Sequence, residues 1–254
     1  MGRRDPASLP SVTASQMREV DRLMVEELGI GLLQMMEHAG RGLTEVGRTL
    51  LGGELNEKQV LVLVGPGHNG AGGLVAARLF ANGGARVTVV LARSANRLKG
   101  MPARQYRVLA RIGIPSLAFD ADPGGLADLL AASDLVVDAL LGYSLEGPPR
   151  GPVASLIRRA NENARQILAL DLPSGLHPDT GHVSGSCVRA RATVTLAMPK
   201  RGLLEPAAHP YVGDLWLADI GVPMALYPRL GFVVGPVFSP ASVIRRDEWT
   251  ATVP

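Results

Sequence analysis

Short apolar segments alternate along the chain with longer segments in which apolar residues recur at helical spacing. The apolar runs that have the length of buried strands lie at residues 59–64, 85–92, 134–142, 166–171, 192–197 and 214–220. Parallel strands that are covered on both faces have this continuous apolar character. Helical patterns separate them at residues 73–81, 102–112, 124–132 and 151–164. Strands that alternate with helices predict βαβ units and an α/β fold with a mostly parallel sheet.

The segment before the first strand predicts two helices. Thr13 and Gln16 have the spacing of a capping box, in which two side chains satisfy the backbone N–H groups that open a helix. The apolar residues expected on one buried face of this helix are Met17, Val20, Met24 and Leu28. Gly29 ends the helix, and a second helix runs over residues 32–51. We expect residues 1–12 to form a loose leader.

Composition and charge narrow the functional classes. The chain has 254 residues, of which 46% are hydrophobic, and a formal net charge of +3. Its scattered basic residues suit an anionic small molecule at least as well as a nucleic acid, and we predict no nucleic-acid partner. No apolar run reaches the roughly 18 residues of a membrane span, so no membrane partner is predicted. Cys187 is the single cysteine and predicts a reducing compartment, the cytoplasm by default.

A glycine-rich turn follows the first strand. The segment GPGHNGAGG, residues 65–73, leads from the strand into a helix. Such a turn can bind a phosphate through backbone N–H groups at the helix N-terminus. It can equally be a tight connection with no ligand, because it lacks the Gly-Lys-Ser/Thr of a P-loop. The sequence alone leaves both interpretations open.

Polar residues also follow three later strands, where α/β folds place their ligands. Asp138 lies near the end of an apolar strand, and it is either functional or a structural partner of a helix or of Arg150. Asp171 ends another apolar strand and is a candidate acid or base, because a carboxyl group in a low-dielectric crevice suits proton transfer. Lys200 follows a further strand, where it meets a phosphate, meets Asp171, or lies on a solvated edge.

Two other kinds of site are excluded by spacing. His177 and His182 lie five positions apart with no third ligand at usable spacing, so no histidine metal site is predicted. The chain also contains no G-x-S-x-G segment, which argues against a Ser-His-Asp hydrolase of the α/β type.

Taken together in this order, the motifs resemble the NAD(P)H-hydrate epimerase family, also called the YjeF N-terminal domain. The family's glycine loop, G-x-G-N-N-G-G-D-G-L-V-A-A-R, is similar to GPGHNGAGGLVAAR here. The other family motifs are similar to VDALLG, LDLPSGLHPDTG, MPKRGL, GDLWLADIGVP and, near the N-terminus, LLQMMEHAG. The resemblance covers residues from about 13 to 223, and we assign residues 13–240 to this domain. Residues 241–254 form a tail, for which disorder and a contact with a partner are both open interpretations.

The resemblance implies a Rossmann-like three-layer α/β/α sandwich that interconverts the R and S forms of hydrated NADH and NADPH. These damaged cofactors carry a hydroxyl group at C6 of the nicotinamide ring. The family works with a dehydratase that repairs one of the two forms, and here that partner is expected to be a separate protein. The family often forms dimers, so a homodimer is an assembly that the resemblance implies.

The family's functional residues transfer to matching positions of this sequence. The resemblance implies a potassium ion as cofactor, bound by Asn69, Asp138 and Ser174. It implies Asp171 as the acid and base, assisted by Lys200. The residues implied to bind the substrate are His68, Asn69, Gly70, Ala71, Gly72, Gly142, Tyr143, Ser144, Leu145, Glu146, Gly147, Pro148 and Asp171.

The sequence departs from the family pattern at two positions of the glycine loop. Gly72 stands where the family has Asp, and His68 replaces the first Asn of a pair. The missing carboxylate keeps a second functional class open, because the family also contains relatives without activity. In that alternative the chain is a catalytically weakened binding or scaffold domain that retains a nucleotide pocket.

Overall fold

A computed structural model describes residues 9–119 and 125–251 of the chain. Its central sheet has eight strands in the order β3-β2-β1-β4-β5-β6-β7-β8. The strands are β1 Gln59–Val64, β2 Arg86–Leu91, β3 Ser116–Ala118, β4 Leu135–Ala139, β5 Ile167–Leu170, β6 Ala192–Leu196, β7 Asp214–Ala218 and β8 Val243–Arg245. Every neighbouring pair is parallel except β7 and β8. The mostly parallel sheet predicted from the sequence is therefore confirmed.

Strand β1 shows why the apolar runs become central strands. Successive side chains of a strand point to opposite faces of a sheet. Val62 and Val64 pack into the core on one face, while Leu61 and Leu63 pack into the core on the other. All of these side chains are buried, so a strand in this position needs an apolar residue at every place and shows no alternation.

Helices cover both faces of the sheet. They are α1 Ala14–Arg22, α2 Leu32–Leu50, α3 His68–Asn82, α4 Gly100–Arg111, α5 Leu126–Ala132, α6 Gly151–Asn163 and α7 His209–Val212. Apolar residues of α2, α3 and α4 share one core with Val62, and those of α5 and α6 share the other with Leu61. These layers confirm the three-layer α/β/α sandwich. No helix in the described ranges is long and apolar enough to cross a bilayer.

The N-terminal helices follow the prediction with one correction. Thr13 and Gln16 form the predicted capping box. After α1 the chain continues as one π-helical segment, Leu23–Glu27, so the rotation of side chains around the axis changes. Leu28 is consequently 44% exposed and does not belong to the buried face on which the sequence placed it. Gly40 on α2 allows close approach to α3, since a Cβ there would lie 2.5 Å from Cγ1 of Val75.

Both ends of the described chain pair with neighbouring segments. Residues 1–8 and 252–254, which belong to the predicted leader and tail, lie outside the described residues. Val12 forms a parallel bridge with Lys200. Near the other end β8 pairs with β7 and buries Val243 and Ile244. This antiparallel pairing covers the edge of β7.

The sheet reverses its strand order between β1 and β4. From β1 the chain proceeds to β2 and β3 on one side, and β4 begins the series on the other side. Loops that leave the carboxyl ends of β1 and β4 therefore diverge and leave a crevice between them, which is where open α/β sheets bind ligands. Every site segment that the sequence predicts lies at the carboxyl ends of the parallel strands.

Candidate functional site

A cavity of about 490 Å³ opens at the carboxyl edge of β1, β4, β5 and β6. Its floor and one wall come from the start of α3, the loop after β4, Asp171 and Lys200. The N-terminal helices also line the cavity, with Met17 and Asp21 from α1 and Met35 from α2. This volume lies in the range of about 300–1,000 Å³ that is usual for small-molecule sites. The cavity combines an apolar wall with a polar floor.

Asp171 and Lys200 form an ion pair at the bottom of the cavity. Lys200 Nζ lies 2.5 Å from Asp171 Oδ1. The two residues are 3% and 0% exposed, so the solvated-edge interpretation of Lys200 is wrong. The backbone of Asp171 has a φ of 69°, a left-handed conformation that Asp tolerates better than most residues. Unusual backbone conformations of this kind cluster at functional sites.

Further hydrogen bonds fix both partners of this pair. Tyr143 donates its backbone N–H to Asp171 Oδ2 at 2.9 Å. Lys200 Nζ donates to the carbonyl oxygen of Leu196 at 2.9 Å. The backbone of Val12 hydrogen-bonds on both sides of Lys200, to Pro199 and to Arg201. The segment that precedes α1 therefore holds the lysine in place from outside the sheet.

Asp138 and Ser174 form a second buried polar pair beside the cavity. They are 0% and 1% exposed. Ser174 donates its hydroxyl to Asp138 Oδ1 at 2.6 Å and its backbone N–H to Oδ2 at 2.8 Å. Burial raises the pKa of Asp138 to about 6, although the hydrogen bonds from Ser174 and Leu140 oppose that shift. Arg150, the alternative structural partner, makes no recorded contact with this carboxyl group in the described chain.

Asn69 joins this pair to the cavity. Its Nδ2 donates to the carbonyl oxygens of Leu141 at 2.9 Å and Leu170 at 3.2 Å. The same carbonyl of Leu141 lies 3.3 Å from the hydroxyl oxygen of Ser174. The three residues that the sequence assigned to a cation therefore lie close together around the carbonyl of Leu141, with Asn69 turning its amide nitrogen toward it. No cluster of three or more His, Cys, Asp or Glu side chains suited to a metal occurs within the described ranges.

The glycine-rich turn belongs mainly to the start of α3, which begins at His68 and not at residue 73 as predicted. The backbone N–H groups of His68, Asn69 and Gly70 make no backbone hydrogen bond with other described residues, as expected of a helix N-terminus. The N–H of Ala71 already donates to the carbonyl of Gly67. The backbone N–H groups of His68, Asn69 and Gly70 are therefore available to a ligand, and that of Ala71 is not.

The glycines of this turn have different structural roles. A Cβ at Gly70 would lie 2.0 Å from the carbonyl oxygen of Gly65, and one at Gly73 would lie 2.3 Å from Cβ of Ala139. These two glycines let α3 pack directly on β1 and β4. A Cβ at Gly67 would meet nothing within 4 Å. Gly67 is thus the position whose missing side chain leaves room at the cavity.

The structure brings most of the predicted substrate residues to one place. Those that line the cavity are His68, Asn69, Gly72, Gly142, Tyr143, Ser144, Leu145, Glu146 and Asp171, and Lys200 joins them. Gly70, Ala71, Gly147 and Pro148 do not line it. At Gly72, where the family carries Asp, a Cβ would lie 3.0 Å from Cδ2 of Leu170.

Sequence reasoning missed Asp21. This residue lies on α1 and lines the cavity. Its Oδ2 accepts a hydrogen bond of 2.5 Å from the hydroxyl of Tyr143. Burial is the main cause that raises the pKa of Asp21 above its ordinary value. The sequence signal that could have identified Asp21 is its spacing. It lies four residues after Met17 and three before Met24, so it shares a helix face with these two buried residues.

Comparisons with known proteins agree on one family. A model of the YjeF-related protein N-terminus matches residues 32–202. An NAD(P)H-hydrate epimerase from Dehalogenimonas lykanthroporepellens is 44% identical over 88% of this chain and 87% of its own length. One from Lentilactobacillus buchneri is 35% identical over 84% of this chain and 94% of its own length.

A longer relative and a solved structure are also similar to this chain. The bifunctional NAD(P)H-hydrate repair enzyme Nnr of Moorella thermoacetica is 36% identical over 85% of this chain, which spans only 41% of that protein. The crystal structure of yeast ynu0 superposes with a TM-score of 0.80 at 24% identity, covering 93% of this chain and 100% of that one. At this identity the likeness supports the fold.

Proposed function

The chain belongs to the family of YjeF-related protein N-termini, and we propose that it is an isomerase that interconverts the R and S forms of hydrated NADH and NADPH. The resemblance seen in the sequence motifs is confirmed by the family model and by relatives that are named NAD(P)H-hydrate epimerase. The observation that carries the proposal is the buried Asp171–Lys200 pair at the floor of the cavity. This pair would supply a proton-exchanging group to a nicotinamide ring bound in the cavity.

The chemistry of the reaction explains why a carboxyl group is needed. The bond between C6 and its oxygen breaks, the electron pair leaves with the oxygen, and the lone pair of the ring nitrogen stabilises the planar cation that remains. Water then adds to C6 from the other face. The departing oxygen must gain a proton and the entering water must lose one, so the reaction needs an acid and a base at the ring. We assign this proton exchange to Asp171.

Lys200 supports this role by charge. Its ammonium group, 2.5 Å from Asp171 Oδ1, holds the carboxylate in one orientation and compensates its buried charge. The carboxylate in turn stabilises a positive ring that forms beside it, which is the electrostatic part of catalysis. Lys200 is fully buried and points at Asp171, so we assign it to this pair and not to a phosphate.

The dinucleotide's phosphates would bind at the start of α3. The N–H groups of His68 and Asn69 are free of backbone partners within the described chain, and the positive end of the helix dipole adds to their attraction for an anion. His68 and Gly67 line the same cavity as Asp171. A substrate that spans from the helix terminus to the carboxyl group therefore has a continuous site.

The residues beside the cavity also fit a potassium ion. Asp138 and Ser174 offer carboxylate and hydroxyl oxygens close to the carbonyl of Leu141. Asn69 turns its Nδ2 toward the same carbonyl, so rotation of its amide group would present an oxygen to the ion. Hard monovalent and divalent cations prefer such oxygen ligands. When bound, the ion would supply positive charge near the anionic substrate and near the buried carboxylate of Asp138.

The alternative function is a nucleotide-binding or scaffold domain with weakened catalysis. Gly72 favours it, because the carboxylate that the family places at this cavity-lining position is absent. The buried pair of Asp171 and Lys200 favours the enzyme, because a binding domain has no need for an ion pair at the base of its pocket. We therefore place the epimerase first.

The assembly and location of the protein remain proposals. We propose that a dehydratase acts on the form that this chain supplies, since a relative that is named a bifunctional NAD(P)H-hydrate repair enzyme and relatives that are named epimerases both match this chain. A homodimer and a cytoplasmic location are further proposals. The free, buried Cys187 agrees with a reducing compartment.

A coupled assay tests the proposed function. An equal mixture of the two forms of hydrated NADH is given to a dehydratase that is specific for one form and present in excess. Without an epimerase, the rapid phase of repair stops when the usable form is consumed. Addition of this chain is expected to convert the remainder at a rate proportional to its concentration. A second phase that stays at the spontaneous rate would favour the binding domain.

A further inference from the structure

The cavity holds a second carboxyl group that the proposed reaction has not yet used. Asp21 lies on α1 and Asp171 follows β5, and both residues line the cavity. Tyr143 connects the two, because its backbone N–H donates to Asp171 and its hydroxyl donates to Asp21. The two carboxyl groups therefore face one cavity from opposite ends of a single residue.

The surroundings of the two groups differ in charge. Asp171 contacts the ammonium of Lys200, whereas Asp21 forms no ion pair with any described residue. Lys200, Asp171 and His68 are the charged or titratable groups that act on Asp21 from further away, together with its partner Tyr143. Burial opposes a negative charge on Asp21 and is the larger influence on its pKa. Two carboxyl groups in such unlike environments are the usual arrangement of a separate acid and base.

We propose that Asp21 is a second catalytic residue, which serves one face of the nicotinamide ring while Asp171 serves the other. The inference rests on the proposed epimerase function. Tyr143 is a positioning residue in this arrangement, because it holds both carboxyl groups. A single carboxyl group would have to reach both faces of a flat ring, whereas two carboxyl groups that are held apart by the length of Tyr143 can each serve one face.

Each inversion balances its protons across the ring. With the hydroxyl on the face of Asp21, the acid form of Asp21 protonates the departing oxygen as its bond to C6 breaks, and a water molecule is released. A second water forms its bond to C6 from the other face and gives a proton to the carboxylate of Asp171. The reverse reaction uses Asp171 as the acid and Asp21 as the base, and exchange with solvent resets both groups.

The test compares inversion with oxygen exchange in water labelled with ¹⁸O. One purified form of hydrated NADH is incubated with the protein, the two forms are separated by chromatography, and mass spectrometry measures the label in each. The wild-type chain is expected to incorporate solvent oxygen with each inversion. Asp21→Asn keeps the shape of the side chain but cannot exchange a proton, so inversion should fall by about 10²- to 10⁴-fold.

The decisive readout is exchange without inversion. In Asp21→Asn, Asp171 can still release and re-add oxygen on its own face, with Lys200 beside it. The ratio of exchange to inversion should therefore rise for the form whose hydroxyl faces Asp171, while KM for the substrate changes little. Glu19→Gln is the matched control on the same helix, since the side chain of Glu19 is 43% exposed, pairs with Arg22 and does not line the cavity. It should leave both rates unchanged.

Each outcome has one meaning. Inversion by Asp21→Asn at the wild-type rate would overturn the role of Asp21 and leave the proposed function intact. A parallel loss of inversion and exchange would also overturn it, because that result indicates a structural role. Absence of inversion by the wild-type chain itself would instead contradict the proposed function.

Discussion

Lys200 Nζ lies 2.5 Å from Asp171 Oδ1, and the lysine is completely buried. Removal of one partner of a buried ion pair leaves an uncompensated charge and typically costs about 3–5 kcal/mol. We therefore expect Lys200→Met to lower the free energy of unfolding by that order, as measured by urea titration.

The double variant Lys200→Met, Asp171→Asn should recover part of this loss, because it leaves no charge behind. Arg191→Met is the control, since the pair of Arg191 with Asp214 is exposed and should contribute about 1 kcal/mol or less. If Lys200→Met proves as stable as the wild type, the ion pair does not exist in solution as described.

Gly67 provides a test of phosphate binding that leaves the fold intact. A Cβ there meets no atom within 4 Å, and the φ of −97° suits any residue. Gly67→Val should therefore fold normally, but its side chain would project toward the helix N-terminus and weaken the binding of ADP-ribose. Isothermal titration measures the affinity.

Gly31→Val is the matched control, because Gly31 precedes α2 as Gly67 precedes α3 and does not line the cavity. Gly70→Val is unsuitable for this purpose, since its Cβ would collide with the backbone of Gly65. Equal affinity of Gly67→Val and the wild type for ADP-ribose would show that the turn only connects β1 to α3.

The potassium proposal predicts stabilisation that depends on the cation. Potassium chloride should raise the melting temperature relative to N-methylglucamine chloride at equal ionic strength. At a potassium concentration of a hundred times the dissociation constant, binding adds about 2.7 kcal/mol to the free energy of unfolding. Asn69→Ala should lose this increment, while Asn82→Ala, at the exposed end of the same helix, should retain it. The proposal fails if the two salts give the same melting temperature for the wild type.

The raised pKa of Asp21 predicts how the free energy of unfolding depends on pH. The folded state binds the proton more tightly than the unfolded state, whose value is near 3.8. The group's stabilising contribution is therefore present below that pH and is lost as the pH rises through the folded value. Asp21→Asn lacks this loss, so its stability relative to the wild type should increase from pH 4 to pH 7, as measured by urea titration. A difference that stays constant or declines over this range would show that burial does not disfavour the charge on Asp21.

Much of the fold and part of the site could be predicted from local sequence. The apolar runs of β1 and β4 are visible because both faces of these strands are buried, and Asp138 and Asp171 are visible because each interrupts such a run at the sheet's carboxyl edge. The ion pair between Asp171 and Lys200 was one of the alternatives for the lysine. The choice among these alternatives depends on the parallel pairing of β5 with β6, which brings the end of one strand beside the end of the other and which local sequence does not specify.

The remainder depends on contacts between distant segments. Asp21 meets Tyr143 across 122 positions of the sequence, and its role depends on how α1 lies over the edge of the sheet. Gly70 resembles a residue that frees backbone for a phosphate, and only the distance to Gly65 shows that it is needed for packing. Strands β3 and β8 have three residues each and are too short to show a periodic pattern.

We propose that this chain inverts C6 of hydrated nicotinamide cofactors with Asp171 as the group that exchanges the proton. The most direct measurement follows one purified form of hydrated NADH by chromatography and compares its conversion to the other form with and without the protein. We expect conversion well above the spontaneous rate for the wild type, and a decrease of about 10²- to 10⁴-fold for Asp171→Asn while ADP-ribose still binds. Wild-type conversion at the spontaneous rate, with ADP-ribose bound, would contradict this proposal and identify a binding domain.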